Sequence, residues 1–238
     1  MPGYVIHLIE AKIIYEILKQ NSNIKNIELD QWQEDFFYGS LLPDAGGKMQ
    51  KQKSHFWNTS QNNRIIITPN IEKFIGKYEI SLKKNSLYWG YLAHLHLDRE
   101  FWNCYIKQNV KFLDANGEKT EYIKNLNGIF VKKLNKMISP EEFFSKDYLY
   151  GDYTQLNKML IQKYHLRVPA YNEFYDNKIE EADNTRMVQV LNDLKMYIVN
   201  NTLGDTSLKV LSMDTLELFL QKSSQQLVEL YDIYSAEG

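Results

Sequence analysis

The segment "GYLAHLHLDRE", residues 90–100, carries two of the chain's five histidines and an aspartate within an otherwise apolar run. The helical spacing of its apolar residues predicts a helix over roughly residues 85–106. Residues four positions apart share one helix face with their Cβ atoms about 6 Å apart, so His94 and Asp98 can hold one cation from a single rigid element. His96 points to another side of this helix. A buried helix that tolerates these polar side chains is the structural alternative.

Helical periodicity extends over most of the remaining chain. The further predicted helices cover residues 4–19, 26–38, 69–82, 153–165, 178–200 and 214–234, with a helical turn from Pro140. Asn26 is the predicted cap of the second of these, and Pro69 is the first residue of the third. Asp214 and Glu217 form a predicted capping box at the start of the last. Residues 39–48 are predicted to be a loop broken by glycine and proline, and His55 to lie on a loop or short turn. The sequence therefore predicts one all-α domain, a multi-helix bundle.

Within this single domain, residues 1–238, we expect three parts. Residues 1–110 form the metal-binding helical core, and residues 138–238 add a C-terminal helical extension. Residues 111–137 are polar and turn-rich, with a short candidate strand in "GIFVKKL", and we interpret them as a loop or lid.

Composition narrows the class of protein and its partners. The 28 basic and 30 acidic residues, with a pI near 6.2, give no reason to expect strong nucleic-acid binding. A single cysteine, the absence of a recognisable signal peptide and the lack of a long apolar run lead us to expect a cytoplasmic protein without a transmembrane segment. The oligomeric state stays open.

Three further residues are candidates for metal ligation besides His94 and Asp98. His7 interrupts an apolar helix, Asp44 follows a proline in a glycine-rich stretch, and His55 lies beside an aromatic pair. Singly, each is better explained as a buried histidine, a turn residue or a surface histidine. Together, imidazole and carboxylate ligands suit zinc, and the same set accepts iron or manganese.

The order of these motifs resembles a known family. "FFYGSLLPDAG" (36–46), "KSHFW" (53–57) and "GYLAHLHLD" (90–98), preceded by a histidine in the first helix, are similar to the zinc-dependent phospholipase C family, which is related to the fungal zinc single-strand nucleases. The resemblance covers residues 4–102 and implies an all-α fold. It also implies that Asp44, His55, His94 and Asp98 hold one zinc ion, and that Asp98 bridges to a second ion held by His7.

The chain departs from the family pattern after this region. Cys104 stands where three-metal members carry a histidine, and His165 has no carboxylate four residues later. A third metal site is therefore not expected. Secreted members also use the processed N-terminal amino group as a ligand, so the second ion remains open here, and we expect one or two ions.

The resemblance implies a metal-dependent phosphoester hydrolase in which metal-activated water attacks a phosphodiester or phosphomonoester, with Asp44 orienting or deprotonating the water. The substrate, a small phosphoester or a phospholipid, stays open. An HD-type phosphohydrolase would need an adjacent His-Asp pair, which the sequence lacks. The alternative of a different class is a non-catalytic or structural metal-binding protein. Six aromatic residues near the candidate ligands could line a pocket but are better explained as core: Phe36, Phe37, Tyr38, Trp57, Trp89 and Trp102.

Overall fold

The computed structural model describes residues 3–21, 29–170, 179–202 and 207–236, which are mostly helical with one small sheet. The helices are α1 (Tyr4–Gln20), α2 (Leu29–Ala45), α3 (Lys51–Ser54), α4 (Ile71–Leu82), α5 (Ser86–Glu100), α6 (Lys107–Asn109), α7 (Pro140–Phe143), α8 (Leu149–Tyr164), α9 (Met187–Val199) and α10 (Met213–Ala236). A π-helical turn, Phe101–Ile106, joins α5 to α6. The predicted helical bundle is thus confirmed. No helix in the described ranges combines the length and apolar character needed to cross a membrane.

Helix α1 lies at the centre of the bundle. It packs against α2, α5, α8 and α10, and eleven of its seventeen residues are buried. Burial on several faces of the helix, and not on one stripe alone, explains why two polar residues, His7 and Glu10, are carried into the interior. Such polar groups need partners there, because desolvating them costs free energy.

The crossing of α2 and α5 is the closest helix contact in the site region. A Cβ atom on Gly39 would lie 2.1 Å from the carbonyl oxygen of Leu87, and one on Gly90 would lie 2.0 Å from that of Phe36. The absence of a side chain at Gly39 and Gly90 therefore lets the backbones of α2 and α5 come into direct contact. Ser86 strengthens the crossing, since its hydroxyl donates to the carbonyl of Trp32 at 2.9 Å.

Several predicted boundaries are wrong. The loop predicted at residues 39–48 is mostly the last turns of α2, because packing on α5 keeps Gly39 and Pro43 helical despite their low helix propensity. Helix α4 begins at Ile71 and is capped by Asn70, so Pro69 precedes the cap. The predicted cap at Asn26 and the predicted start of α9 at residue 178 lie outside the described residues; the described α9 begins only at Met187.

The segment between α6 and α7 forms an antiparallel three-stranded meander of β1 (Val110–Leu113), β2 (Gly128–Val131) and β3 (Lys136–Ile138). Val110 pairs with Val131, and Ile129 pairs with Ile138. In β1 the buried Val110 and Phe112 flank the exposed Lys111, and Ile129, Val131 and Ile138 of the other strands are buried, which places one face of the sheet on the helices. The strand predicted in "GIFVKKL" is therefore present as β2, whereas the other two strands were not anticipated.

A buried carboxylate on α8 binds the segment that precedes α10. Asp152 on α8 accepts the backbone N–H groups of Lys209, Val210 and Leu211 at 2.9, 2.6 and 2.8 Å, and these residues lead into α10. The predicted cap at Asp214 is wrong, because α10 starts at Met213 and Asp214 lies within its first turn. At α7 the predicted first-position proline is confirmed, with Ser139 completing a capping box.

Candidate metal centre

The imidazole of His94 is fixed by a backbone carbonyl from the neighbouring helix. Its Nδ1 donates a hydrogen bond to the carbonyl oxygen of Ser40 at 2.8 Å. A carbonyl only accepts, so the proton of the neutral ring lies on Nδ1 and the lone pair of Nε2 faces Nε2 of His55. This is the arrangement that orients a metal-binding histidine. The glycine crossing of α2 and α5 is what brings Ser40 so close.

Four side chains converge at Nε2 of His94. Its Nε2 lies 3.3 Å from Nε2 of His55, 3.7 Å from Oδ1 of Asp44 and 3.9 Å from Oδ2 of Asp98. Nε2 of His55 in turn lies 3.4 Å from Oδ1 of Asp44 and 3.1 Å from Oδ2 of Asp98. The structure thus brings together four predicted ligand residues from α2, the end of α3 and α5.

These separations match a metal coordination shell. Four ligand atoms placed about 2.1 Å from a tetrahedral zinc ion would lie about 3.4 Å from one another. Five of the six edges of such a tetrahedron are those given above, between 3.1 and 3.9 Å. Ligand atoms of Asp44, His55 and His94 all lie within 4.8 Å of one another and could hold a metal ion, and a second such group of His7, His94 and Asp98 overlaps it. Imidazole and carboxylate ligands of this kind suit zinc, iron or manganese.

His55 reaches this position through a strained turn. It follows α3 directly, and the next residue, Phe56, adopts a left-handed conformation with φ of 55° while its side chain is buried. A bulky residue in this region is strained, and such strain often lies next to functional residues. The hydroxyl of Tyr91 donates to the carbonyl of Ser54 at 2.6 Å, and the Ser54 hydroxyl lies 2.9 Å from Nδ1 of His55. These contacts fix the turn and the ring.

His7 approaches from α1 on the other side. Its ring stacks on that of His94 with centroids 3.6 Å apart and planes inclined by 5°. An imidazole lone pair lies in the ring plane, and two parallel planes do not meet, so one ion cannot be an in-plane ligand of both rings. Nε2 of His7 instead lies 3.5 Å from Oδ1 of Asp98, the oxygen opposite the one that faces His55. The two oxygens of Asp98 therefore face two separate positions.

The carboxylate of Asp98 is buried without being satisfied. Neither of its oxygens, nor either nitrogen of His7, has a hydrogen bond of good geometry within the described part of the chain. Most buried polar atoms in native proteins have such a partner, so each exception calls for an explanation such as an ion or water. For Asp98 and His7, close approach without a well-formed hydrogen bond is the pattern expected of metal ligands.

The pKa values of the cluster are lowered for both carboxylates and for His94 and raised for His55. Burial raises the pKa of Asp98, but the close approach of the His55 and His7 imidazoles outweighs it and holds the pKa well below the ordinary value. Burial and the neighbouring His7 lower the pKa of His94 to about 3, so this ring is neutral at pH 7. Burial lowers the pKa of His55, yet the nearby carboxylates of Asp44 and Asp98 raise it overall.

Asp44 provides the most exposed side of the cluster. Its side chain is 12 % exposed, whereas those of His7, His55, His94 and Asp98 are at most 1 % exposed. Oδ1 of Asp44 also pairs with Nζ of Lys51 at 2.7 Å. Burial raises the pKa of Asp44, but His55, His94 and Lys51 lower it overall. A ligand from solvent would meet the Asp44–Lys51 pair first.

The other histidines and Cys104 lie outside the cluster. His96 is buried with its Nδ1 3.3 Å from the hydroxyl of Ser223, and His165 is exposed at the end of α8. Cys104, within the π-helical turn, is exposed and donates to Glu100 at 3.2 Å. The residue that stands in place of a family ligand therefore points to solvent.

Of the six aromatic residues considered as a pocket lining, five are core. Phe36, Phe37, Tyr38, Trp89 and Trp102 are at most 9 % exposed, while Trp57 is partly exposed with its ring 5.7 Å from that of His55. Sequence reasoning did not identify Lys51 or Ser40. Lys51 lies seven residues after Asp44 with no periodic signal, and Ser40 acts through its carbonyl, which any residue supplies.

Comparison with known proteins gives no independent assignment: no family model matches the chain, and neither the curated proteins nor the solved structures contain a match.

Proposed function

We propose that this chain is a metal-dependent phosphoester hydrolase, similar in its site to the zinc-dependent phospholipases C. The observation that carries the proposal is that Nε2 of His55 and Nε2 of His94 lie 3.3 Å apart and each lies 3.1–3.9 Å from a carboxylate oxygen of Asp44 and of Asp98. The motif order resembles that family over the same residues. Zinc bound here would lower the pKa of water and polarise a phosphoryl oxygen.

The chain's own residues supply orientation and charge. Asp44, the most exposed of the proposed ligands, is placed to accept a hydrogen bond from the attacking water and to orient it. Its ion pair with Lys51 favours this orienting role over proton abstraction, because a carboxylate that an ammonium group already stabilises is a weak base. The Lys51 ammonium group lies at the entrance, where it can stabilise negative charge on the phosphoryl oxygens.

His7 and Asp98 define a second position. Oδ1 of Asp98 faces His7, while Oδ2 faces His55, so His7 and Asp98 would be the residues to hold a second ion beside the first. Two ions about 3.5–4 Å apart can hold both the attacking and the leaving oxygens of a phosphoester. In the hydrolysis, the water oxygen bonds to phosphorus, the bond from phosphorus to the leaving oxygen breaks, and that oxygen takes up a proton. Phosphodiesters, phosphomonoesters and phospholipids all fit this chemistry.

A structural metal site is the second candidate, and the burial of the cluster favours it. Structural zinc sites are closed by four protein ligands, whereas catalytic sites keep one position open. Four of the five candidate side chains are at most 1 % exposed. Under this reading zinc would stabilise the contact between α2 and α5 without activating water.

Metal content and hydrolysis, measured on the same sample, distinguish the candidates. The protein is stripped with a chelator and reloaded with zinc, manganese or iron(II), and bound metal is determined by elemental analysis. Hydrolysis of bis(p-nitrophenyl) phosphate, p-nitrophenyl phosphate and phosphatidylcholine vesicles is then followed. We expect one or two ions per chain and metal-dependent hydrolysis of at least one substrate. Stoichiometric metal that raises the unfolding temperature without any hydrolysis supports the structural role, and no bound metal contradicts both.

A further inference from the structure

Tyr153 on α8 turns its hydroxyl group towards the protein interior, whereas tyrosines near a surface usually turn it towards solvent. Its hydroxyl oxygen is buried and has no hydrogen-bond partner among the described residues, while the residue as a whole is partly exposed. Tyrosines near a surface normally bury the ring and leave the hydroxyl in water or give it a partner. A phenol that turns its polar end inward without a partner loses stability, so the arrangement points to a ligand.

The ring of Tyr153 packs against Phe101, which follows the candidate ligand Asp98 on the same helical segment. Its centroid lies 6.0 Å from that of Phe101, which is three residues, about one helical turn, beyond Asp98. Burial raises the pKa of Tyr153 well above its ordinary value, and the charges of Tyr105 and Asp98 add to this. The phenol is therefore neutral and lies within the electrostatic reach of the Asp98 carboxylate.

A second unpartnered group lies one turn further along α8. Oδ1 of Asn157 is buried and accepts no hydrogen bond in the described chain. The amide nitrogen of Asn157 lies 3.8 Å from the position of a Cβ atom on Gly3, the residue that precedes α1 and stands about one turn before His7. Two polar groups on one face of α8 thus adjoin the elements that carry His7 and Asp98.

Tyr105 shows that a buried tyrosine in the same cluster can be fully satisfied. Its ring centroid lies 5.1 Å from that of Phe101, but its hydroxyl donates to the carbonyl of Ser212 at 2.8 Å and accepts from the Ser212 N–H at 3.3 Å. Tyr105 therefore holds the start of α10. Tyr153 has no such contact, although both rings pack on Phe101.

We propose that Tyr153 is a further catalytic residue, whose phenol donates a hydrogen bond to a phosphoryl oxygen of the substrate on the side of the site formed by His7 and Asp98. The inference rests on the proposed function. A neutral phenol suits this task because it donates a hydrogen bond to an anion without the repulsion a carboxylate would exert. It would add a neutral donor to the Lys51 ammonium group, which pairs with Asp44.

The test compares Tyr153→Phe with Tyr105→Phe as the matched control. Urea unfolding is measured on the metal-free proteins, zinc content on the reloaded proteins, and inorganic phosphate binding by calorimetry on the zinc-loaded proteins. For Tyr153→Phe we expect unchanged zinc content, a urea midpoint equal to or above that of the parent, and phosphate binding weakened about tenfold or more. For Tyr105→Phe we expect a lower midpoint and parental phosphate binding.

Three results would overturn the inference. A Tyr153→Phe midpoint lowered as far as that of Tyr105→Phe shows that the hydroxyl is structural, whatever the protein's activity. Parental phosphate affinity in Tyr153→Phe, in a protein whose parent hydrolyses phosphoesters, rejects the role of Tyr153 alone. A zinc-loaded parent that neither binds phosphate nor hydrolyses any ester rejects the proposed function and this inference together.

Discussion

The carbonyl oxygen of Ser40 accepts a hydrogen bond from Nδ1 of His94 at 2.8 Å, joining α2 to the central candidate ligand on α5. This contact requires two helix backbones to touch, which Gly39 and Gly90 permit. The crossing therefore determines which ring nitrogen of His94 carries the proton, and it also fixes the position of the ring. The packing of α2 on α5 therefore also determines the orientation of the candidate ligand His94.

Alanine at either crossing glycine should disrupt the bundle. In Gly39→Ala or Gly90→Ala the new methyl group would meet a carbonyl oxygen at about 2 Å, so we expect a loss of about 3 kcal/mol or more in the free energy of unfolding. Gly76 is the matched control, because a Cβ atom there meets nothing within 4 Å and Gly76 is exposed on α4. Gly76→Ala should raise stability by up to about 1 kcal/mol. Urea unfolding measures all three, and equal effects would contradict the close crossing.

Removal of either helix ligand should abolish metal binding. His94→Ala and Asp98→Ala each leave an incomplete shell, so we expect zinc affinity to fall by more than the roughly 100-fold that loss of an outer-shell partner can cost. Asp98→Ala should be the more damaging if this carboxylate bridges two ions. His165→Asn is the control, since His165 is exposed in a left-handed conformation that asparagine tolerates. Bound zinc by elemental analysis, with hydrolysis alongside, is the measurement, and activity surviving in both alanine variants would refute the site.

The neighbouring His96 should matter for stability and not for metal. Its contact with Ser223 and its burial predict that His96→Ala loses about 2 kcal/mol of unfolding free energy while zinc content stays parental. Urea unfolding and elemental analysis on one preparation check both parts. Loss of zinc equal to that of His94→Ala would show that the ligand has been assigned to the wrong histidine.

Lys51 should influence substrate binding without holding the metal. Lys51→Met removes the ammonium group that pairs with Asp44, and we expect kcat/KM for a phosphoester to fall about tenfold with zinc content unchanged. Lys53→Met, an exposed lysine two residues later, serves as the control. Steady-state kinetics at low ionic strength provide the comparison. Parental kcat/KM in Lys51→Met would remove this lysine from the mechanism.

Glu10 should make stability depend on pH. Burial raises the pKa of Glu10 from 4.5 to about 8, and the hydroxyl of Ser223 donates to it at 2.6 Å. Between these two pH values the unfolded chain loses the proton while the folded chain keeps it, so stability that is complete below pH 4.5 falls as pH rises to about 8.

Glu10→Gln isolates this contribution, because glutamine does not titrate. The variant should gain stability relative to the parent as pH rises from 5 to 8, at a slope of up to about 1.4 kcal/mol per pH unit. Urea unfolding of metal-free parent and variant at several pH values gives the difference. A difference independent of pH would mean that Glu10 ionises normally in the fold.

The sequence by itself determined the helical character of the chain and one local geometry. The placement of His94 and Asp98 on one face follows from the helix period alone, because both belong to the same element and no distant contact is needed. The ordered motifs that contain Asp44, His55, His94 and Asp98, together with His7 in the first helix, likewise named five residues that the structure brings together. Their role as metal ligands stays a prediction.

Only the tertiary structure decided how separate elements meet. The extension of α2 through Gly39 and Pro43 overrides local propensity, because contact with α5 stabilises it. The stacking of His7 on His94 joins elements far apart in sequence, and the inward hydroxyl of Tyr153 depends on how α8 packs. Local spacing carries no information on such contacts, since they arise from the burial of whole helix faces against one another.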